Sequence, residues 1–261
     1  MYQEISQLLM YGDLEEDSIL AQMGELFGKY ETGEYNKTGL VRDINTQVKR
    51  ILKVATDYGF DDNLWHNYLT FFLMMSENPF SMTCEKVGAS DGSVNELVEN
   101  DFRIFKDLFD YDFGPIEKDL GINCFSQISN YKAIHKKDLM YNKNVSEKVR
   151  SLSKKLEAAK DEKEFFDAVT GFYKDYGVGM FGLNKAFRID DTPQGSFTFR
   201  AINNMDTVML DDLVGYEIQK KKLVDNTEAF VQGKKANNVL LFGDSGTGKS
   251  TSIKAIVNQY Y

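Results

Sequence analysis

Three glycines, a lysine and a serine near the end of the 261-residue chain have the types and spacing that bind phosphate groups. Residues 243–250, GDSGTGKS, satisfy the pattern G-x-x-x-x-G-K-[ST] at every fixed position. Glycines permit backbone conformations that a Cβ would bar, so consecutive amides can point inward at phosphate oxygens. Lys249 supplies a cation for the β- and γ-phosphates, and the Ser250 hydroxyl is a hard oxygen ligand suited to Mg²⁺. The pattern therefore predicts a phosphate-binding loop.

The segments on either side of this loop have the order that such a motif requires. Residues 238–242, NVLLF, predict a strand that ends where the loop begins, and Lys249 begins a predicted helix. The positive N-terminal end of that helix favours a bound anion. The alternative is a glycine-rich turn between a strand and a helix that binds nothing. The order strand, loop, helix favours a nucleoside triphosphate, and we expect ATP with Mg²⁺.

Two other patterns resemble ligand sites but lack the context that those sites need. Residues 177–182, GVGMFG, spell G-x-G-x-x-G but follow a predicted helix rather than a strand, so they predict a tight turn. The histidines and cysteines have no metal-binding spacing such as C-x₂-C or H-x₃-H, which argues against a zinc site. These residues are His66, His135, Cys84 and Cys124.

Charge and composition narrow the class of protein. The formal net charge of −9 opposes non-specific binding to nucleic acid, and the hydrophobic share of 42% is enough for a packed core. The most apolar run, residues 64–75, is shorter than the roughly 20 residues that span a bilayer. The N-terminus lacks a secretory signal, and two cysteines do not make a disulfide framework. We therefore expect a cytoplasmic protein with reduced thiols and with neither membrane nor nucleic acid as a partner.

Helical spacing dominates residues 3–182 and predicts a mostly α-helical N-terminal domain over residues 1–190. Asp61 and Asp62 are predicted to cap a helix that begins at Leu64. Residues 145–159 and 161–176 predict a helical hairpin whose second arm is capped by Asp161. Ser93 with Glu96 fits a capping box for a helix that ends at Phe109. One apolar stripe comprises Leu40, Ile44, Val48, Ile51, Leu52 and Ala55.

The character of the sequence changes after Gly182. Residues 196–202, SFTFRAI, alternate with period two and predict a strand, and residues 216–232 predict a helix. We place a β-containing linker at 191–210 and an incomplete α/β P-loop domain at 211–261. The expected fold is a mostly α N-terminal domain followed by the start of an α/β P-loop domain, α-rich overall.

A segment upstream of the loop adds a family resemblance. The strings DDLVGYEIQK at 211–220, NTEAF at 226–230 and NNVLLFGDSGTGKST at 237–251 resemble a bacterial family of AAA-type ATP-binding proteins, classed only as a domain of unknown function. The resemblance is good over residues 180–261. It implies phosphate contacts from the end of the loop, Mg²⁺ contact from Ser250, and an adenine border at residues 214–216. The implied nucleotide-binding residues are Gly243, Asp244, Ser245, Gly246, Thr247, Gly248, Lys249, Ser250, Thr251, Val214, Gly215 and Tyr216.

Departures from the family pattern limit what the resemblance implies. Asp244 and Ser245 stand where many AAA proteins have two prolines. No strand ending in adjacent acidic residues follows the loop before Tyr261. We therefore expect the front part of a longer ATPase, whose second magnesium carboxylate, sensors and arginine finger lie elsewhere, and we expect nucleotide binding rather than hydrolysis from this chain.

Three interpretations of the function remain open at this point. In the first, the parent protein is an AAA-type ATPase, homo-oligomeric in our expectation, whose helical domain recruits a substrate or protein partner. In the second, the helical domain is itself the binding module and the loop is inert. Its aromatic side chains Trp65, Tyr68, Phe71 and Phe72 then form a partner groove rather than part of the core. The third is another P-loop class, a kinase or GTPase, which the segment at residues 213–216 argues against.

Overall fold

The computed structural model describes residues 1–89, 92–134, 143–192, 195–203 and 205–261 of the chain. It confirms the predicted helix-rich fold and divides the chain into two compact units, Met1–Leu183 and Asn184–Tyr261. The division of the second unit into a linker and a P-loop domain near residue 210 stays a prediction. The helices of the first unit are α1 (Tyr2–Ile5), α2 (Ile19–Thr32), α3 (Lys37–Tyr58), α4 (Leu64–Met75), α5 (Pro79–Val87), α6 (Ser93–Phe109), α7 (Gly114–Leu120), α8 (Cys124–Ser129), α9 (Lys143–Ala158), α10 (Glu162–Tyr176) and α11 (Gly179–Leu183).

The first unit is built around one hydrophobic core to which most of its helices contribute. Helix α3 faces this core with its apolar stripe, which is buried except for the half-buried Leu52. The Asn36 side chain accepts a hydrogen bond from the Gly39 N–H at the start of α3. Gly59 ends the helix in the left-handed conformation, with φ of 70°. The prediction of an amphipathic helix over this stripe is confirmed.

The aromatic residues of α4 lie in this core or pack against it, as in the core-packing alternative to a partner groove. Trp65 is 1% exposed, and its Nε1–H donates to the Leu108 carbonyl at 2.9 Å. The Tyr68 hydroxyl accepts from the Leu20 N–H at 3.0 Å. Phe71 and Phe72 are half-buried and pack against the same core. Trp65 and Tyr68 are therefore buried against α6 and α2, whereas Phe71 and Phe72 each keep a partly exposed face.

Of the predicted N-terminal caps, that of α10 is confirmed and those of α4 and α6 are wrong. The Asp161 carboxylate caps α10 by accepting from the Glu164 N–H at 2.8 Å, and α9 and α10 form the predicted hairpin. The predicted capping box of α6 is wrong, because Gly92 is the N-cap residue and Ser93 already lies inside the helix. Asn63 rather than Asp61 or Asp62 caps α4. In each failure a neighbouring residue has the N-cap backbone geometry, which the side-chain pattern alone does not specify.

The glycine pattern at residues 177–182 begins with the predicted turn after α10 and continues into α11. Helix α10 ends at Tyr176, and Gly177 has φ of +82°. A Cβ on Gly182 would lie 2.5 Å from the Gly177 carbonyl carbon, so the glycine permits a close approach of the backbone to itself. No dinucleotide-type strand precedes this turn in the described residues.

The second unit contains a two-stranded sheet, a 3₁₀ turn and two helices. Strands β1 (Phe187–Asp191) and β2 (Phe197–Ala201) pair antiparallel with Ile189 opposite Phe199, which confirms the predicted strand at 196–202. The 3₁₀ turn spans Leu210–Asp212, and helices α12 (Glu217–Val231) and α13 (Lys249–Tyr260) follow. Both helices were predicted, α12 to within one residue at each end.

The predicted strand at 238–242 is not formed. A strand requires a hydrogen-bonded neighbour, and β1 and β2 pair only with each other in the part of the chain that the structure describes. Leu240 and Phe242 are 82% and 88% exposed. The segment is anchored at its start, where the Asn226 side chain exchanges two 2.9 Å hydrogen bonds with the Asn237 backbone. Its apolar sequence therefore lies on the surface rather than in a sheet.

Candidate functional site: the glycine loop before helix α13

The glycine loop, residues 243–251, turns sharply into α13 through backbone conformations that favour glycine. Gly243, Gly246 and Gly248 have φ of +144°, +80° and +80°. Gly248 is the N-cap of α13, which begins at Lys249. A Cβ at Gly246 would meet nothing within 4 Å, so the loop leaves open space beside this glycine. The local geometry that the motif predicted is therefore present.

The Lys249 side chain folds back across the loop. Its ammonium donates hydrogen bonds to the carbonyl oxygens of Gly243 at 3.0 Å and Asp244 at 2.5 Å. It also lies 3.3 Å from Thr247 Oγ1, which itself donates to the Asp244 carbonyl at 2.8 Å. Three short contacts therefore place the cation inside the turn, with oxygen atoms that a phosphate group can replace.

The amides at the start of α13 provide the hydrogen-bond donors of the site. Among the described residues, no acceptor is paired with the N–H groups of Gly248, Lys249, Ser250 and Thr251. Ser250 is exposed at the first turn of the helix, whereas Thr251 is half-buried. Amide donors, an ammonium and a free-standing hydroxyl fit a Mg²⁺-bound polyphosphate. Asp244 and Ser245 are exposed.

The upstream segment predicted to border adenine, residues 213–216, approaches the loop through Leu213. The Leu213 Cδ2 atom is 3.5 Å from the position of a Cβ on Gly248. Lys220 of α12 donates to the Leu213 carbonyl at 2.9 Å. Gly215 and Tyr216 have φ of +85° and +57°, so the chain turns sharply between the 3₁₀ turn and α12. Val214 is 94% exposed and Tyr216 54% exposed, and both are accessible to a ligand.

A set of contacts that sequence inspection missed joins the residues before Leu213 to α13. The Asn258 amide nitrogen donates to the carbonyl oxygens of Asp206 at 2.7 Å and Val208 at 2.9 Å. Lys254 forms an ion pair with Asp206 at 2.5 Å. Leu210 of the 3₁₀ turn and Ala255 of α13 are buried. The one sequence signal was the spacing of Lys254 and Asn258, which places them on the same face of α13.

A second link joins the two helices of the unit. The Tyr260 hydroxyl of α13 donates to Glu228 Oε1 of α12 at 3.0 Å. Desolvation, and then this hydrogen bond to a carboxylate, raise the pKa of Tyr260 above its ordinary value of 10.0. Tyr260 is therefore the donor of this bond at neutral pH.

The residues considered for a metal site belong to the first part of the chain and not to the glycine loop. His66 Nε2 is 2.8 Å from the Phe109 carbonyl oxygen. Cys84 is a buried free thiol whose pKa is raised to about 11 by that burial. Cys124 is half-buried, and His135 lies outside the described residues. Within the described ranges, no three His, Cys, Asp or Glu side chains are grouped to hold a metal ion.

Comparisons with known proteins concern mainly the second unit. Residues 183–261 match the family described as "Protein of unknown function (DUF815)". A segment of 51 residues is 43% identical to the replication factor C large subunit of Methanococcus vannielii, which is 20% of this chain and 10% of that protein. The chain therefore spans a small part of this curated relative. No solved structure matches the chain. In the described residues, no helix has the length and apolar character needed to cross a membrane. Both similarities are partial, since the family match covers residues 183–261 and the similarity to the replication factor C large subunit covers 20% of this chain.

Proposed function

We propose that the second unit binds ATP with Mg²⁺ through its glycine loop, as the N-terminal part of an AAA-type ATPase. The observation that supports this most directly is the convergence of the Lys249 ammonium and the unpaired amides of Gly248–Thr251 on one turn. A triphosphate is the ligand whose negative charge and many acceptor oxygens match this donor set. The partial similarities to DUF815 and to a replication factor C large subunit agree with the proposal.

Each residue of the loop has a role in this proposal. Gly246, Thr247 and Gly248 contact phosphate oxygens through their amides, and Thr251 lies near the α-phosphate. Lys249 exchanges the Gly243 and Asp244 carbonyls for β- and γ-phosphate oxygens. Ser250 is the protein ligand for Mg²⁺, and the ion would neutralise phosphate charge when bound. Val214, Gly215 and Tyr216 border the adenine ring.

The proposal for this chain concerns nucleotide binding, which the glycine loop and the start of α13 can provide. Phosphoryl transfer needs further positioned acidic and basic groups, and it is not part of the proposal. For the parent protein we propose a cytoplasmic, homo-oligomeric ATPase whose helical unit recruits a protein partner.

Titration calorimetry with MgATP tests the proposal. We expect saturable binding by the unmodified chain and at least about tenfold weaker binding by Lys249→Ala, because a charge-assisted hydrogen bond contributes roughly 1.5–3 kcal/mol. Lys235→Ala is the matched control, since it removes one exposed lysine of the same unit. Equal heats from all three proteins would refute nucleotide binding at this loop.

Competition between nucleotides separates the AAA-type interpretation from a kinase or GTPase. We expect ATP to displace a bound fluorescent ATP analogue at lower concentration than GTP, because Val214 offers an apolar border without base-specific acceptors for guanine. Tighter competition by GTP would favour the GTPase alternative over the AAA-type proposal.

A further inference from the structure

We propose that Asn258 is a positioning residue for base recognition, because it fixes the residues that lead into the adenine border. The inference rests on the proposed function, since it concerns the same nucleotide. It comes from side-chain contacts on α13 that lie about 13 Å along the helix axis from Lys249, at 1.5 Å per residue. Asn258 itself is therefore remote from the phosphates and acts through the segment that it holds.

The hydrogen bonds of Asn258 use the full donor capacity of its amide. One nitrogen donates to the Asp206 carbonyl at 2.7 Å and to the Val208 carbonyl at 2.9 Å. A primary amide nitrogen has two N–H groups, so both are engaged. Because the two carbonyls are two residues apart, the pair of bonds fixes both the position and the direction of the backbone between them.

Three further contacts extend this attachment toward the glycine loop. Lys254, one turn before Asn258, pairs with the Asp206 carboxylate at 2.5 Å. Leu210 and Ala255 are the buried hydrophobic side chains of the second unit within the described residues, and the 3₁₀ turn and α13 contact each other. Leu213 then reaches Gly248, at the start of the same helix. Residues 206–213 are therefore positioned by α13 along most of its length.

This arrangement gives one helix two functions in binding. Its first turn provides the ammonium, amides and hydroxyl for the phosphates, and its last turns position the segment that ends at Val214 and Tyr216. Loss of the Asn258 bonds leaves the first turn unchanged, because Lys249 and Thr247 have their own contacts within the loop. It removes two of the contacts that hold residues 206–208 and leaves the Lys254 ion pair with Asp206, so the adenine border is positioned less tightly relative to the phosphates. The substitution should therefore weaken binding of the base and leave binding of the triphosphate unchanged.

Calorimetry with two probes, MgATP and magnesium tripolyphosphate, separates these contributions. We expect Asn258→Ala to bind MgATP about tenfold more weakly and tripolyphosphate within about twofold of the unmodified chain, as two lost hydrogen bonds predict. Asn258→Asp, which keeps the shape but offers no donor, should show at least the same selective loss. Asn226→Ala is the matched control, because it removes two hydrogen bonds of the same unit while leaving residues 206–213 attached.

The outcomes distinguish this inference from the proposed function. If the unmodified chain binds neither probe, both are overturned. If the unmodified chain binds both and Asn258→Ala binds both equally well, only the role of Asn258 is overturned. If Asn258→Ala weakens the binding of both probes to the same extent, the role of Asn258 is also overturned, because a general loss of folding has the same effect. The inference is supported if Asn258→Ala changes the ratio of the affinities for MgATP and tripolyphosphate about tenfold. Asn226→Ala should leave this ratio unchanged.

Discussion

The two units of this chain bury apolar surface to very different extents. In the first unit, rings such as Trp65, Phe27 and Phe102 are almost completely inaccessible to solvent. In the second, the buried hydrophobic side chains among the described residues are Leu210 and Ala255. The large exposed side chains of the second unit include Val214, Ile218, Phe230, Leu240 and Phe242.

The contrast indicates what stabilises each unit. Burial of a large apolar side chain contributes roughly 1.5–3 kcal/mol, so the first unit has a strong hydrophobic driving force of its own. The second unit depends on glycine geometry, helix formation and hydrogen bonds such as those of Asn226 and Asn258. The geometry of the glycine loop is thus local and does not require a large core.

Hydrogen exchange gives the largest expected difference between the units. Amides in the middle of α4 should exchange at least about a thousandfold more slowly than those of Val239, Leu240 and Phe242, because core helices open only with global unfolding. Mass spectrometry of peptides from the two regions measures this. Strong protection at residues 239–242 in the monomer would contradict the exposed, unpaired conformation of this segment.

A matched pair of leucine substitutions tests burial directly. Leu69→Ala removes a fully buried side chain of α4 and should lower the free energy of unfolding by about 2–5 kcal/mol. Leu240→Ala removes a side chain that is 82% exposed and should change it by less than about 0.5 kcal/mol. Urea denaturation followed by circular dichroism provides both values. Similar losses for the two variants would mean that Leu240 is buried in solution.

A buried carboxylate ties the N-terminal residues of the first unit to α6. The Asp101 carboxylate accepts from the N–H groups of Leu9, Met10 and Tyr11 at 2.9, 2.7 and 3.0 Å. Asp101→Ala leaves these donors unpaired and should cost roughly 2–4 kcal/mol of unfolding free energy. Asp107→Ala on the exposed side of α6 is the control and should cost less than about 1 kcal/mol. Equal effects of the two substitutions would contradict a structural role for the buried carboxylate.

The smallest expected effect is a pH dependence confined to the first unit. Burial lowers the pKa of His66 below its ordinary value of 6.5, against the raising influence of the Phe109 carbonyl, Glu157 and Asp110. Between the folded and unfolded pKa values the unfolded chain binds more protons. The unfolding free energy should therefore fall as the pH drops below about 6.5 and level off below the folded pKa.

Substitution of this histidine tests the cause. In denaturation experiments, His66→Gln should reduce the slope of the unfolding free energy against pH below about pH 6.5, because the imidazole is no longer present to titrate. The second unit contains no histidine, so its helix content should show no transition from an imidazole in this range. A slope that is unchanged in His66→Gln would assign the pH dependence to other groups.

Much of the fold was predictable where the governing interactions are local. The stripe on α3, the hairpin of α9 and α10, the strand at 196–202 and helices α12 and α13 all follow from periodicity and caps. The glycine loop was predictable for the same reason, because its φ values and its lysine lie within nine residues. The predicted strand at residues 238–242 failed because a strand needs a partner that is distant in the chain, whereas the caps of α4 and α6 were misplaced by one or two residues of local backbone geometry.

The sequence by itself determined the chemistry of residues 243–251, since glycine conformations, a lysine and a helix start act within one turn. Tertiary structure alone decided which apolar residues are buried, that residues 238–242 have no strand neighbour, and that Asp101 binds amides about 90 residues away. It also decided that Asn258 holds residues 206–208. These features depend on contacts between segments far apart in the chain, and spacing within one segment carries no information about such contacts.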